Sequence, residues 1–139
     1  VVTVPTLPKP VDQVMKDHVA QTRIYRNWVV PGLNDPDIVP LTIAMEVLGG
    51  LASSRLDNAL VRGDKSAVAV KASVQTFEKI SLVEITADVK PGVDAKTVAA
   101  HLDTLIADYL KNGPTADEVK RAATRQVATQ IAGLESVGG

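Results

Sequence analysis

Two runs of alternating side chains, residues 66–75 and 80–89, are joined by a short connection through Phe77-Glu78-Lys79, and no other feature constrains the fold as tightly. In the second run Val83, Ile85, Ala87 and Val89 alternate with Glu84, Thr86 and Asp88. In the first, Val68, Val70, Ala72 and Val74 alternate with Lys71, Ser73 and Gln75. Successive side chains of a strand point to opposite faces, so the pair reads as an antiparallel hairpin with one apolar and one wet face. The apolar face needs a cover, and the flanking sequence supplies helices for it.

Ahead of the hairpin, residues 21–30 are rich in β-formers, with Ile24, Trp28 and Val30 on one face and Arg23, Tyr25 and Asn27 on the other. Pro31-Gly32 ends that strand. A helix follows with Asp37 as its N-cap, because Pro40 then falls in the first turn, where its missing N–H breaks no bond. Ile38, Leu41, Met45 and Leu48 form its apolar stripe, and Gly49-Gly50 are read as its stop. Ser53 or Ser54 is expected to cap a short second helix carrying Leu56 and Leu60, with Arg55 and Arg62 near its exposed side.

Behind the hairpin, Pro91-Gly92 makes a break and Asp94 caps a long helix carrying Val98, Leu102, Leu105, Ile106 and Tyr109, with Asn112-Gly113 as its left-handed exit. Thr115-Ala-Asp-Glu118 is a capping box opening the last helix, and Lys120, Arg121 and Arg125 beyond it read as a solvated face. Strand, helix, short helix, strand, strand, helix, helix is the order of an α/β (α+β) two-layer sandwich: a mainly antiparallel sheet with helices on one face. Residues 1–17, with Pro5, Pro8 and Pro10, read as an extended linker, and residues 18–139 as a single domain truncated at its end. A chain starting at Val1 is expected to be a processed or excised piece of a longer protein.

Composition narrows the function. At 139 residues the chain holds one core, burying roughly 70% of its unfolded surface. Fifteen basic and 16 acidic residues leave a net charge of −1, without the broad positive field that nucleic acid or an anionic membrane needs. No apolar run is long enough to span a membrane. With no cysteine there is no disulfide, thiolate zinc site, iron–sulfur cluster or cysteine nucleophile. The only histidines are His18 and His101, and neither H-E-x-x-H nor H-x-x-E-H occurs, so no catalytic metal is expected within the chain. The serine elbow G-x-S-x-G and the phosphate loops G-x-x-x-x-G-K-[ST] and G-x-G-x-x-G are absent too.

The residues Arg23-Ile-Tyr-Arg-Asn-Trp-Val-Val-Pro-Gly32, Val47-Leu-Gly-Gly50, Ser53-Ser-Arg-Leu56 and Asn112-Gly-Pro-Thr-Ala-Asp-Glu-Val-Lys120 carry a resemblance. Over about residues 18–135 the chain resembles the second, non-zinc-binding domain of pitrilysin/insulinase-type zinc metallopeptidases, the group that includes mitochondrial processing peptidases. That resemblance implies a two-layer, processing-peptidase-like half that pairs with a homologous zinc-bearing domain carrying H-x-x-E-H, the two closing as a chamber around an unfolded peptide. No cofactor is then expected in this chain, and zinc is expected in the parent protein's other domain.

The resemblance also implies that an arginine at the end of the short helix contacts the substrate backbone, and Arg62 matches it. The tyrosine that accompanies it in the family falls near Val68 or Ala69, so that pair is incomplete. No residue of this chain is expected to be catalytic. The parent would be the zinc peptidase, and a periplasmic parent is what the resemblance implies. The alternatives are a stand-alone ferredoxin-like binding or regulatory module and a non-catalytic structural subunit of the same family.

Overall fold

The computed structural model describes residues 6–136. It contains β1 (Arg23–Pro31), α1 (Ile38–Met45), a π-helical turn Glu46–Gly50 that prolongs α1, a π-helix Asp57–Gly63, β2 (Ala67–Thr76), β3 (Ile80–Val89), α2 (Ala95–Asn112) and α3 (Ala116–Glu135). The three strands form one antiparallel sheet in the order β1-β3-β2. Residues 6–22 contribute no helix or strand, while residues 1–5, part of the expected linker, and 137–139 lie outside the described residues.

The alternation read along β3 holds throughout: Ser81, Val83, Ile85, Ala87 and Val89 are buried, and the residues between them are partly exposed. Against that inner face pack Ile24 of β1, Ala67 and Ala72 of β2, and the buried side of α2, Val98, Leu102, Ile106 and Tyr109. Met45, Val47 and Leu48 from α1 and its extension, with Leu56 and Leu60, close the same core. The helical caps follow the sequence: the Asp94 carboxylate accepts from Lys96 N, and Thr115 and Glu118 exchange both bonds of the capping box. Gly113, after Asn112, leaves the helix at φ +67° and ψ −178°, a positive-φ conformation outside the left-handed helical region expected there and open essentially to glycine alone.

Four further expectations fail, each for a physical reason. Val68 does not share a face with Val70, Ala72 and Val74, because a β-bulge between Ala67 and Ala69 shifts the phase and turns Val68 out to solvent. Ala67 takes the inward place. Gly49-Gly50 do not stop the helix; they form its last, widened turn, and the chain leaves it only at extended Leu51. A Cβ on Gly49 would stand 2.8 Å from Ala72 N and 2.9 Å from Ala72 Cβ, so this glycine is what lets the helix end press on β2. Neither Ser53 nor Ser54 caps the second helix with its hydroxyl: Ser53 sits at φ +67°, and Ser54 Oγ is buried without a partner. Asp37 marks the start of α1 as expected, but its own side chain caps nothing, and the Asp35 carboxylate accepts from Asp37 N at 2.9 Å.

The hydrogen-bond phase fixes which backbone groups face outward at the two sheet edges. Val89 N donates to Thr22 O, so the even residues of β1 bond to β3 and Arg23, Tyr25, Asn27 and Val29 turn their N–H and C=O groups to the outer edge. Phe77 N donates to Ile80 O, so on β2 the outward residues are Val70, Ala72, Val74 and Thr76. Gly49 and Gly50 cover Ala72 there, and the β2 edge is closed at its middle.

Candidate functional site

Arg62 and the Val68–Ala69 position, the residues matched to the family's substrate contact, lie in the stretch that runs from the end of α1 through the π-helix to the start of β2. Both wide helical turns lie in it, a form often found at functional sites. The turn between them hangs on Asp57. Its carboxylate accepts from Ser53 N at 2.9 Å, stabilising the left-handed serine, and Asn58 Nδ2 donates to Ser53 O at 2.9 Å. The same carboxylate oxygen accepts from Arg62 Nε at 2.7 Å. The i→i+5 spacing of the π-helix brings positions 57 and 62 within reach of each other, and Arg62 is held by its Nε with most of its side chain in solvent. Val68 and Ala69, which stand where the family's tyrosine would be, lie at the bulge that opens β2.

Arg55 was expected on the exposed side of the helix, and the structure turns it inward instead. Its guanidinium makes two parallel bonds to Glu118, at 2.9 Å each, donates to Gly113 O at 3.0 Å, and lies 5.1 Å from the centre of the Tyr109 ring. Tyr109 in turn donates its hydroxyl to Ala44 O at 2.7 Å. One arginine thus ties the head of the π-helix to the α2–α3 turn, and Tyr109 carries the tie on to α1. The bonds from Arg55 and from the Thr115 backbone hold the Glu118 carboxyl down at about 2. Burial pushes the Tyr109 hydroxyl up. Nothing local in the sequence announces this cluster, since Arg55 and Glu118 are far apart; the only signal was that Glu118 already had one role in the capping box.

On the wet face of the sheet a half-open hollow of about 510 Å³ is lined by Arg23, Lys71, Glu84, Thr86, Asp88 and the Gly49–Ala52 backbone. Arg23 is locked to Asp88 by two bonds across the β1–β3 pair. His101 of α2 meets Asp64, just past the π-helix, at 2.7 Å, and His18 lies in the exposed lead-in segment. The two histidines are not brought together. Among the described residues no group of three or more His, Cys, Asp or Glu side chains converges in a way that could hold a metal ion. No helix of the described residues is long and apolar enough to cross a membrane.

Comparison with known proteins agrees with this geometry. No curated protein sequence matches the chain. Among solved structures, a protease from Helicobacter pylori is similar with a TM-score of 0.79 and 25% identity, over 87% of this chain and 29% of that one. A protein described as a zinc protease from Bordetella pertussis Tohama I matches with a TM-score of 0.71 and 24% identity, over 81% of this chain and 62% of that one. A peptidase M16 inactive domain from Pseudomonas fluorescens gives a TM-score of 0.71 at 22% identity, over 79% of this chain and 26% of that one. The chain therefore spans less than a third of the Helicobacter protein and under two thirds of the Bordetella one. Residues 1–126 match the family described as the peptidase M16 inactive domain, and the chain belongs to that family.

Proposed function

We propose that this chain is the non-catalytic wall of a zinc-dependent metalloendopeptidase, forming a peptide-binding chamber opposite a homologous zinc-bearing domain. The observation that carries the reading is the family match over residues 1–126 to an inactive peptidase domain. The chemistry of the residues agrees: they contain no H-x-x-E-H, and no described cluster offers a metal three ligands. Zinc and the hydrolytic step belong to the partner domain, and this domain holds and orients the peptide. Arg62 is the side chain assigned to the peptide backbone. With Nε engaged by Asp57, its two terminal nitrogens remain to donate to carbonyl oxygens of an extended chain.

The test is steady-state cleavage of an unfolded peptide by the full-length protein carrying Arg62→Ala. Loss of one charge-assisted bond predicts a KM raised about 10-fold with an unchanged melting temperature. Unchanged kinetics would leave Arg62 a surface residue paired with Asp57. Absence of any zinc-dependent cleavage by the full-length protein would overturn the chamber reading itself.

A further inference from the structure

We infer that the half-open hollow on the wet face of the sheet is a subsite for a glutamine side chain of the peptide. The inference rests on the peptide-chamber reading above and names what that wall selects. The hollow adjoins the turn that holds Arg62. Its rim runs through Leu51 and Ala52, and the next residue, Ser53, donates its backbone N–H to the Asp57 carboxylate that also accepts from Arg62. Those bonds, 2.9 and 2.7 Å long, keep Arg62 Nε within about 10 Å of the rim, which three residues of extended chain can span.

The floor of the hollow is built from neighbouring rows of the sheet. Arg23, Asp88 and Ala69 form one row, Lys71 and Thr86 lie opposite each other in the next, and Glu84 stands two places along β3 from Thr86. Arg23 and Asp88 are bound to each other by two bonds. Lys71 and Glu84 take part in no ion pair among the described residues. They are diagonal neighbours, about 7–8 Å apart at the backbone. The hollow therefore offers one uncommitted cation and one uncommitted anion, and its two positive and two negative side chains sum to no net charge.

That arrangement disfavours three classes of side chain. An acidic one meets Glu84, a basic one meets Lys71, and an apolar one strips water from both and returns nothing. A carboxamide carries two N–H donors for Glu84 and a C=O acceptor for Lys71, and brings no charge of its own. Asparagine is one methylene shorter than glutamine. In a hollow of about 510 Å³ the longer side chain reaches past the rim to the floor, with room beside it for bridging water. Ala69 keeps that floor open, since its methyl group is all that rises there from β2.

The test is kcat/KM of the full-length, zinc-replete protein on unfolded peptides in which one position at a time carries Gln, Leu, Glu or Lys within a fixed Ala-Ser sequence. At one position the Gln peptide should exceed the other three by at least about 10-fold, and Ala69→Phe, which fills the floor, should bring all four within about 2-fold. Lys71→Ala leaves Glu84 alone and should turn the preference towards Lys. Glu84→Ala leaves Lys71 alone and should turn it towards Glu. Residues with only a packing role would redirect neither. Cleavage with no Gln preference at any position, a preference that survives Ala69→Phe, or one that neither charge variant redirects would overturn the inference and leave the chamber reading standing. No cleavage of any peptide would overturn both.

Discussion

Arg55 ties together three parts of the domain through one side chain. Its side chain is about a quarter exposed, and its guanidinium reaches Glu118, Gly113 O and the Tyr109 ring at once. Truncating it leaves the Glu118 carboxylate, itself one-fifth exposed, without its main partner, so Arg55→Ala should cost about 3 kcal/mol in chemical denaturation. Arg55→Lys should recover little of it, because an ammonium cannot reproduce two parallel bonds and the carbonyl contact together.

The pair also predicts a pH dependence. The Glu118 carboxyl titrates at about 2 when folded against an ordinary value near 4.5, so its contribution is complete above about pH 4.5 and fades as pH falls towards 2. Glu118→Gln keeps a side chain suited to the capping box and loses the charge. The stability difference between wild type and Glu118→Gln should therefore be largest at neutral pH and close to nil near pH 2. A difference that does not change between pH 6 and pH 2.5 would show that the ion pair contributes nothing.

At the scale of elements, three glycines separate three physical roles that one letter in a sequence cannot distinguish. Gly49 is required by contact. An alanine there meets the backbone of Ala72, so Gly49→Ala should lower stability by about 2 kcal/mol and loosen the α1 end from β2. Gly113 is required by conformation. Open space surrounds it, and Gly113→Ala should cost about 1 kcal/mol through its φ of +67° alone. Gly133 lies within α3 with nothing within 4 Å, so Gly133→Ala should stabilise by about 0.5–1 kcal/mol. Thermal or urea melts of the three variants check all of these, and an equal effect at positions 49 and 133 would contradict the close-approach account.

Here too lies the limit of what the sequence discloses. The alternation in β3, the capping box at Thr115 and the Asp94 cap are local patterns, and each is found where its residues placed it. The bulge at Val68 is not local: Lys90 N bonds to Ser66 O at 2.9 Å, and the register beyond it is set by pairing across to β3. The inward turn of Arg55 and the covering of the β2 edge likewise depend on partners dozens of residues away. By its spacing Trp28 shares the inner face with Ile24 and Val30. It does lie opposite Val83 on that side, yet it remains 41% exposed.

For the whole molecule, the same contrast separates fold from function. Length, one core and near-zero charge define only a small α/β domain. Its place in a peptidase family shows in the Leu-Gly-Gly and Ser-Arg-Leu segments, whose structural duties are the close approach to β2 and the Arg55 tie. These segments carry packing and an ion-pair tie rather than a set of acids, bases and nucleophiles. Arg62, by contrast, has a resemblance behind it and a held, solvent-facing guanidinium, and cleavage by full-length protein carrying Arg62→Ala is the test of its role.

The central claim is that this domain supplies no hydrolytic chemistry of its own. Its most direct test is metal analysis of the purified 139-residue chain after incubation with zinc, together with peptide cleavage by the same sample. The account predicts well under one zinc per chain and no turnover above the buffer rate. One zinc bound per chain, with zinc-dependent turnover that a chelator abolishes, would contradict it.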